Sequence, residues 1–577
     1  MDNNTQPLNI ATESFIELSG RERAQAVLDA GSFRELIGPF DRMTSPHLPL
    51  QGIVAQSDDG VIVGRGTIDG EPAVAIALEG AFQGGGIGEV CGAKISGALE
   101  QVLRDHEKGI KTRPVLLLET GGVRLQEGNY GLLAIAEIGA AIMALRPYTP
   151  VVSVISGMIG CYGGMSICAA GLSSHLIMTR QGRLQLNGSE VIEQEAGIQE
   201  MDASDRSRIW SMVGGEQRVA AGFADTLVND DIHEINEAIH DVFRQGIREV
   251  TRTAQVDRYL ALLAAVDANT LIVPSSIRES WKSGIVDQEN LQSQLGAQQA
   301  QANDSVVEAP ITRGRTWFEA LSGQSASAQQ GIASVLCADT ELENQRVRYI
   351  SVVPNPNARF VRARQGEIGL EEGWNIARSI REAIEADKDG EKRAIVAIVD
   401  VPSQAYGYRE EVLGIHLSCG SAVDAYASAR LAGHPVIALI VGNAISGAFL
   451  AHGMQANRLL SLDDEKVTVQ VMSKQSAARI TRRSIEQLNE AATKVPGAAY
   501  DIRSFAKLGA LDQLIEGIEA DQPQDKDIER IQQYLITAIA ETRQGPRDLS
   551  VRLTSATAAT GRASSIKVRQ LLAEQWD

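Results

Sequence analysis

Two pairs of glycine-bearing loops are the segments of this chain best suited to chemistry. In the first half they are ETGGVRLQEGNYG after Pro114–Leu118, and SGMIGCYGGMSICAAG after Pro150–Ile155. In the second half they are DVPSQAYGYREEVLG after Ala394–Val399, and VGNAISGAFLAHG after Pro435–Ile440. Each follows a short apolar run and precedes a helical pattern. Backbone N–H groups at such a junction are unpaired, and the helix dipole there favours negative charge. Two loops side by side can hold a carbonyl oxygen as it becomes an oxyanion. The expected donors are Gly121 and Gly122 with Gly163 and Gly164, and Tyr406 and Gly407 with Ser446 and Gly447. The structural alternative is that these glycines only make tight turns and packing sites.

The apolar runs are bounded by Pro and Gly and read as buried strands, with amphipathic helices between them. The strand starts are 36 residues apart in the first half (114 to 150) and 41 in the second (394 to 435). Strand, glycine loop and helix therefore repeat, which predicts α/β layering with parallel strands. A chain of 577 residues exceeds one ordinary core. The Gln-, Ala- and Asn-rich stretch at 286–310 has linker composition, so domains at 10–285 and 311–577 are expected.

Other chemistries find little support. A net charge of -19 disfavours nonspecific nucleic-acid binding. Gly84-Gly85-Gly86-Ile87-Gly88 is followed by Glu89, so it is not G-x-G-x-x-G, and no P-loop occurs. There is no H-E-x-x-H, no C-x-x-C and no G-x-S-x-G. His416 and Cys419 read as a helix-face histidine and a core thiol. The uncharged stretch from Pro150 to Ser174 is long enough for a membrane span, but its glycines and serines indicate a buried strand, loop and helix start. Unpaired cysteines and the lack of a signal peptide suit the cytoplasm.

Several segments resemble acyl-CoA carboxyltransferases. Gly84–Ile95 (GGGIGEVCGAKI) is similar to their G-S-M-G-x-x-x-G-x-K/R-I segment, and Thr120–Gly128 (TGGVRLQEG) to their S-G-G-A-R-x-Q-E-G loop. Residues 10 to about 285 resemble the beta subunit of malonate decarboxylase. RGRTWFEALSG, VDVPSQAYGYREEVLGIH, GHPVIALIVGNAISGAFLAHG and VQVMSKQSAARITRRS resemble its gamma subunit. The resemblance implies two crotonase-like domains of the ββα superhelix type in a beta–gamma fusion. It implies decarboxylation of a malonyl thioester on an acyl carrier protein. That carrier would bear a phosphopantetheine-type group derived from dephospho-CoA and be loaded by a transferase subunit. No metal, membrane or nucleic acid is implied, and homo-oligomer formation is left open.

PSQAYGYRE departs from the G-F-x-x-G loop with which biotin carboxyltransferases polarise biotin, and no A-M-K-M biotinylation site is present. Direct decarboxylation is favoured. Carboxyl transfer to biotin on another subunit and a non-catalytic scaffold are the alternatives. Under the resemblance Gly121 and Gly122 hold the thioester oxygen, while the loop around Gly407 cradles the departing carboxylate. Arg124, Gln126, Gly86, Gly88 and Gln404 are expected near substrate, although Arg124 and Glu127 also read as a bridge that closes the loop. Proton donors to the enolate are sought among Tyr406 (ranked first), Tyr162, Ser156, Gln404 and His416. Two basic clusters, Arg359, Arg362 and Arg364, and Lys474, Arg479, Arg482 and Arg483, are candidate docking patches for an anionic carrier. Arg180 and Arg183 lie near the first-half site.

Overall fold

The computed structural model describes residues 13–157, 159–282, 309–325 and 331–577. All but the last two residues of the expected linker at 286–310 lie outside them. The first sheet runs in sequence order through β1 (Arg34–Leu36), β2 (Val61–Ile68), β3 (Glu71–Leu78), β4 (Arg113–Leu117), β5 (Val152–Ile155), β6 (His175–Thr179) and β7 (Thr226–Val228). The second holds β8 (Val335–Leu342), β9 (Gln345–Val352), β10 (Ala394–Val401), β11 (Val436–Ile445), β12 (Arg458–Leu462) and β14 (Gln513–Ile515), with β13 (Thr468–Gln470) paired to β11. Each opens with an antiparallel hairpin, β2–β3 or β8–β9, and continues in parallel. The repeat of strand and helix thus yields two copies of one fold.

The crossover helices correspond as well. Helix α1 (Glu89–Glu107) and α2 (Asn129–Leu145) flank β4, and short α3 (Gly163–Met165) follows β5 and leads into a π-helical turn at Ser166–Gly171. Helix α4 (Ser189–Ala196) comes next. In the second half α5 (Leu370–Ala386) precedes β10. Helices α6 (Tyr408–Val412) and α7 (Ile415–Leu431) follow β10, and α8 (Ser446–Ala451) follows β11. Helices α9 (Lys474–Thr481) and α10 (Ile485–Lys494) come after β13. The stretch at 150–174 becomes β5, a loop and α3, and no helix among the described residues is long and apolar enough to cross a membrane.

Helices α2 and α7 depart from the amphipathic expectation. Both are buried on almost every face, because they lie where the two halves meet. Arg146 at the end of α2 pairs with Asp424 of α7, which also accepts from Thr253 and Arg381. That carboxyl group, fully buried, is held at about 2 mainly by these arginines, against the opposing effect of burial. Gln455 donates to the Ala136 carbonyl inside α2 (2.9 Å), and Asn129 to that of Val469 (2.9 Å). One apolar core runs through both halves, from Leu36 to Trp576.

The C-terminal helix α11 (Ala563–Gln575) crosses back to lie on α1 of the first half. Arg562 grips Glu137 (2.9 and 3.1 Å), Arg569 grips Glu100 and Glu137, and the Ser565 N–H donates to Glu89 (3.0 Å). The second half is therefore keyed into the first by buried charge. Removing one member of such a pair leaves the other buried with less compensation. Arg562→Ala is expected to destabilise the chain by about 3 kcal/mol, read as a lower urea midpoint. An unchanged midpoint would contradict the keying role.

Candidate active site

The first-half site begins where β4 ends. Beyond Leu117 the ladder continues as single bridges. Thr120 donates to the Gly160 carbonyl (2.7 Å), Tyr162 to that of Thr120 (3.0 Å), and Cys161 to that of Arg183 (2.8 Å). From the other side Ile87 donates to Gly122 (2.8 Å) and Arg124 to Ile87 (2.8 Å). This parallel bridge turns the Val123 N–H away from Ile87. The two loops touch at Gly122 (φ +97°) and Gly163 (φ +58°). A Cβ on Gly122 would lie 3.2 Å from both the Gly163 Cα and the Tyr162 carbonyl.

The expected donors are partly committed elsewhere. Gly121 donates to the Gly84 carbonyl (2.8 Å), Gly122 to Thr120 Oγ1 (3.0 Å) and Gly163 to the Leu186 carbonyl (3.0 Å). Where the two loops touch, the N–H groups of Val123 and Gly164 have no partner among the described residues. Gly164 is the second residue of α3, where a helix has no internal acceptor. Val123 lies beside it: a Cβ built on Gly163 would sit 3.9 Å from the Val123 nitrogen. The unpartnered N–H at this contact is therefore that of Val123, the residue after Gly121 and Gly122.

The second half repeats this register. Ile368 donates to Ser403 (3.0 Å) and Ala405 to Ile368 (3.0 Å), so Gln404 stands where Val123 stands in the first half. Ser446 (φ +51°) opens α8 as Gly163 opens α3, and Gly447 matches Gly164. Here the Gly447 N–H has a partner, Gln404 Oε1 at 3.1 Å. Gln404 Nε2 donates to Asn187 Oδ1 (2.9 Å), and Asn187 Nδ2 to the Ala405 carbonyl (3.0 Å). The Glu411 carboxylate accepts from the Asn187 and Leu186 N–H groups (2.7 and 3.1 Å).

Tyr406 and Gly407 fall past the ladder, with Gly407 capping α6. Glu200 Oε1 takes the Tyr408 N–H (2.9 Å), and the buried Glu410 carboxyl abuts Gly407, its pKa pushed up to about 7 by burial. Two acidic side chains therefore line the expected cradle at Gly407, of which Glu200 is already paired with Arg362 (3.0 Å).

Arg124 is buried, paired with Asp59 (2.7 Å) and Glu127 (2.9 Å), and Ser45 donates to Glu127 (2.6 Å). It braces the loop from beneath. Gly86 and Gly88 are packing sites under the same loop: a Cβ on Gly88 would fall 1.6 Å from Glu127 Oε2. Gln126 faces a cavity of 280 Å³ bounded also by Gly128, Met472, Lys474, Arg483 and Tyr500. His416 is buried against Phe223 and held neutral by burial, which removes it as an acid. Ser156 is buried. Tyr162, whose phenol burial pushes up to about 12, caps α3 beside Gly164. Of the basic residues, Arg359 and Arg362 pair with Glu371 and Glu200, Arg364 binds the Ala358 carbonyl and Arg479 pairs with Glu193. Arg180 pairs with Glu216 (3.5 Å). Arg183 has no carboxylate partner among the described residues, and its guanidinium lies over Tyr162 (5.8 Å) and Trp210 (4.6 Å). No cluster of three metal-ligating side chains occurs among the described residues.

The chain is similar to known proteins in both parts. A family profile described as malonate decarboxylase gamma subunit matches residues 363–576. The malonyl-S-ACP:biotin-protein carboxyltransferase MADC of Malonomonas rubra is 37% identical over 282 residues, which is 47% of this chain and 88% of that protein. MADD of the same organism, of the same description, is 43% identical over 167 residues, 28% of this chain and 57% of that relative. In a crystal structure of a Pseudomonas malonate decarboxylase hetero-tetramer with malonate, one chain is 55% identical (TM-score 0.46), covering 47% of this chain and 97% of that one. The chain belongs to the malonate decarboxylase group of the acyl-CoA carboxyltransferase family, with beta-like and gamma-like parts fused in one polypeptide.

Proposed function

We propose that this chain removes CO2 from a malonyl thioester carried on the phosphopantetheine-type arm of an acyl carrier protein, leaving the acetyl thioester. The supporting observation is the pair of unpartnered N–H groups at Val123 and Gly164, at the touching loops. Breaking the C–C bond to the carboxylate sends an electron pair through the α-carbon onto the thioester oxygen. Two fixed donors stabilise that charge as it develops and need no reorganisation. Tyr162 is the neutral acid beside the pair and supplies the proton to the enolate carbon. Arg183 is the counter-ion of the malonyl carboxylate. The cavity at Gln126, Lys474 and Arg483 accepts the arm, with the two cations facing its phosphate. A separate transferase subunit loads malonate on the carrier. The five free thiols fit the reducing cytoplasm.

Carboxyl transfer to biotin is the second reading, because the two Malonomonas rubra relatives are described as carboxyltransferases to a biotin protein. Purified chain given a malonyl thioester without biotin separates the two. Release of CO2 is expected, and release only after a biotinyl protein is added would overturn decarboxylation. Replacing the Val123 amide by an ester keeps the side chain and deletes one donor. It is expected to lower kcat about 10²–10³-fold with little change in KM, and an unaltered kcat would reject this donor. Arg183→Ala is expected to raise KM for malonyl thioester about tenfold, leaving acetyl thioester binding unchanged; equal weakening of both would remove Arg183 as the carboxylate's counter-ion.

A further inference from the structure

The two loop pairs match residue for residue, yet only the first has both donors open among the described residues. Val123 and Gln404 hold the same place in the ladder, through the Ile87 and Ile368 bridges. Gly164 and Gly447 hold the same place in α3 and α8. In the first half neither N–H has a protein partner. In the second half the Gln404 amide folds back onto its own loop pair and its oxygen takes the Gly447 N–H (3.1 Å). The other end of that amide is fixed by Asn187 (2.9 Å), which is tied to Ala405 and Glu411. Gln404 and Asn187 are both buried, so the arrangement is locked from behind.

We infer that Gln404 is a built-in plug: its side-chain carbonyl takes the Gly447 donor of the second pair and, from that place, bars a carboxyl acceptor whose own carbonyl would need both donors for its polarisation. This rests on the decarboxylase reading and says what keeps the chain from acting as a transferase. A cyclic urea accepts a carboxyl group by forming an N–C bond as the malonyl C–C bond breaks. Its N–H proton passes to the enolate carbon, and charge builds on the urea oxygen as that proton leaves. The transfer needs two stabilised oxyanions, one on the thioester and one on the urea. With Gln404 in place only the thioester has a complete pair of open donors. The C–C bond then breaks without an acceptor, and CO2 leaves as itself. Valine at the matching position of the first half carries no acceptor and leaves its pair open to substrate.

The test uses the full chain as wild type, Gln404→Ala and Gln404→Leu, with 2-imidazolidinone, a minimal cyclic urea, and then free biotin. Leucine keeps roughly the volume of glutamine, so it blocks the space without an acceptor; alanine opens both the space and the donor. Binding of 2-imidazolidinone by calorimetry is expected to be about tenfold tighter for Gln404→Ala than for wild type or Gln404→Leu, the worth of one to two neutral hydrogen bonds. With malonyl thioester labelled in its free carboxyl carbon, only Gln404→Ala should pass label to biotin. Equal urea binding by all three folded proteins, or carboxybiotin formed by the wild type, would overturn the plug. Circular dichroism and a thermal melt check folding, and Gln404→Ser, with a side chain too short to fill the space, stands in if Gln404→Ala is unfolded. The binding readout needs no turnover. Absence of CO2 release by the wild type without biotin would sink the decarboxylase reading and leave the urea comparison to be judged separately.

Discussion

Two backbone segments must meet at Gly122 and Gly163, and the site depends on that contact. A single Cβ on Gly122 would lie 3.2 Å from the facing backbone, so side chains there force the loops apart. The contact brings the Val123 and Gly164 N–H groups together. Gly164 is itself packed between the halves, because a Cβ on it would fall 2.6 Å from Leu450 of α8. The first half's donor is thus positioned partly by the second half. The fusion keeps both members of this contact in one polypeptide, and the loops of both halves converge within a single copy of it.

Buried charge holds these loops in place. Arg124, Asp59 and Glu127 form a cluster under the TGGVRLQEG loop, and Glu119 accepts the Ile159 and Gly160 N–H groups (2.5 and 3.1 Å) under the other. Lys94 of the GGGIGEVCGAKI segment donates to the carbonyls of Ile37, Asp58 and Val61. The charged residues of these motifs therefore build the scaffold beneath the backbone N–H groups of the two loops. Burying ions is costly without compensation; Arg124, Asp59, Glu127 and Glu119 are in ion pairs, and Lys94 is held by three carbonyls. Preorganisation of this kind favours a developing oxyanion over a ground-state carbonyl.

Much of this was legible in the sequence. The apolar runs at 114–118, 150–155, 394–399 and 435–440 became β4, β5, β10 and β11, and the repeat of strand, loop and helix is the repeat of the fold. The loops that meet were found by their glycines. The N–H groups of Gly121, Gly122 and Gly163 are occupied while that of Gly164 is not, and Val123 looks like any other valine until the ladder with Ile87 sets its direction. In the second half Gln404 is expected near substrate from the sequence, but its match to Val123 follows only from the bridge to Ile368. Asn187 and Glu411 could not be joined to Gln404 from sequence, being 217 residues before it and on a separate helix. The all-round burial of α2 and α7 was hidden because periodicity reports a helix's own faces and not a neighbouring half.

The central claim is that two backbone N–H groups, at Val123 and Gly164, polarise a thioester carbonyl. Difference infrared spectroscopy of the bound acetyl thioester, labelled with carbon-13 at its carbonyl, measures that polarisation directly. A carbonyl stretch shifted to lower frequency on binding, with much of the shift lost in the Val123 ester variant, is the predicted result. A bound carbonyl that absorbs at its aqueous frequency, or a shift indifferent to the Val123 amide, would contradict it.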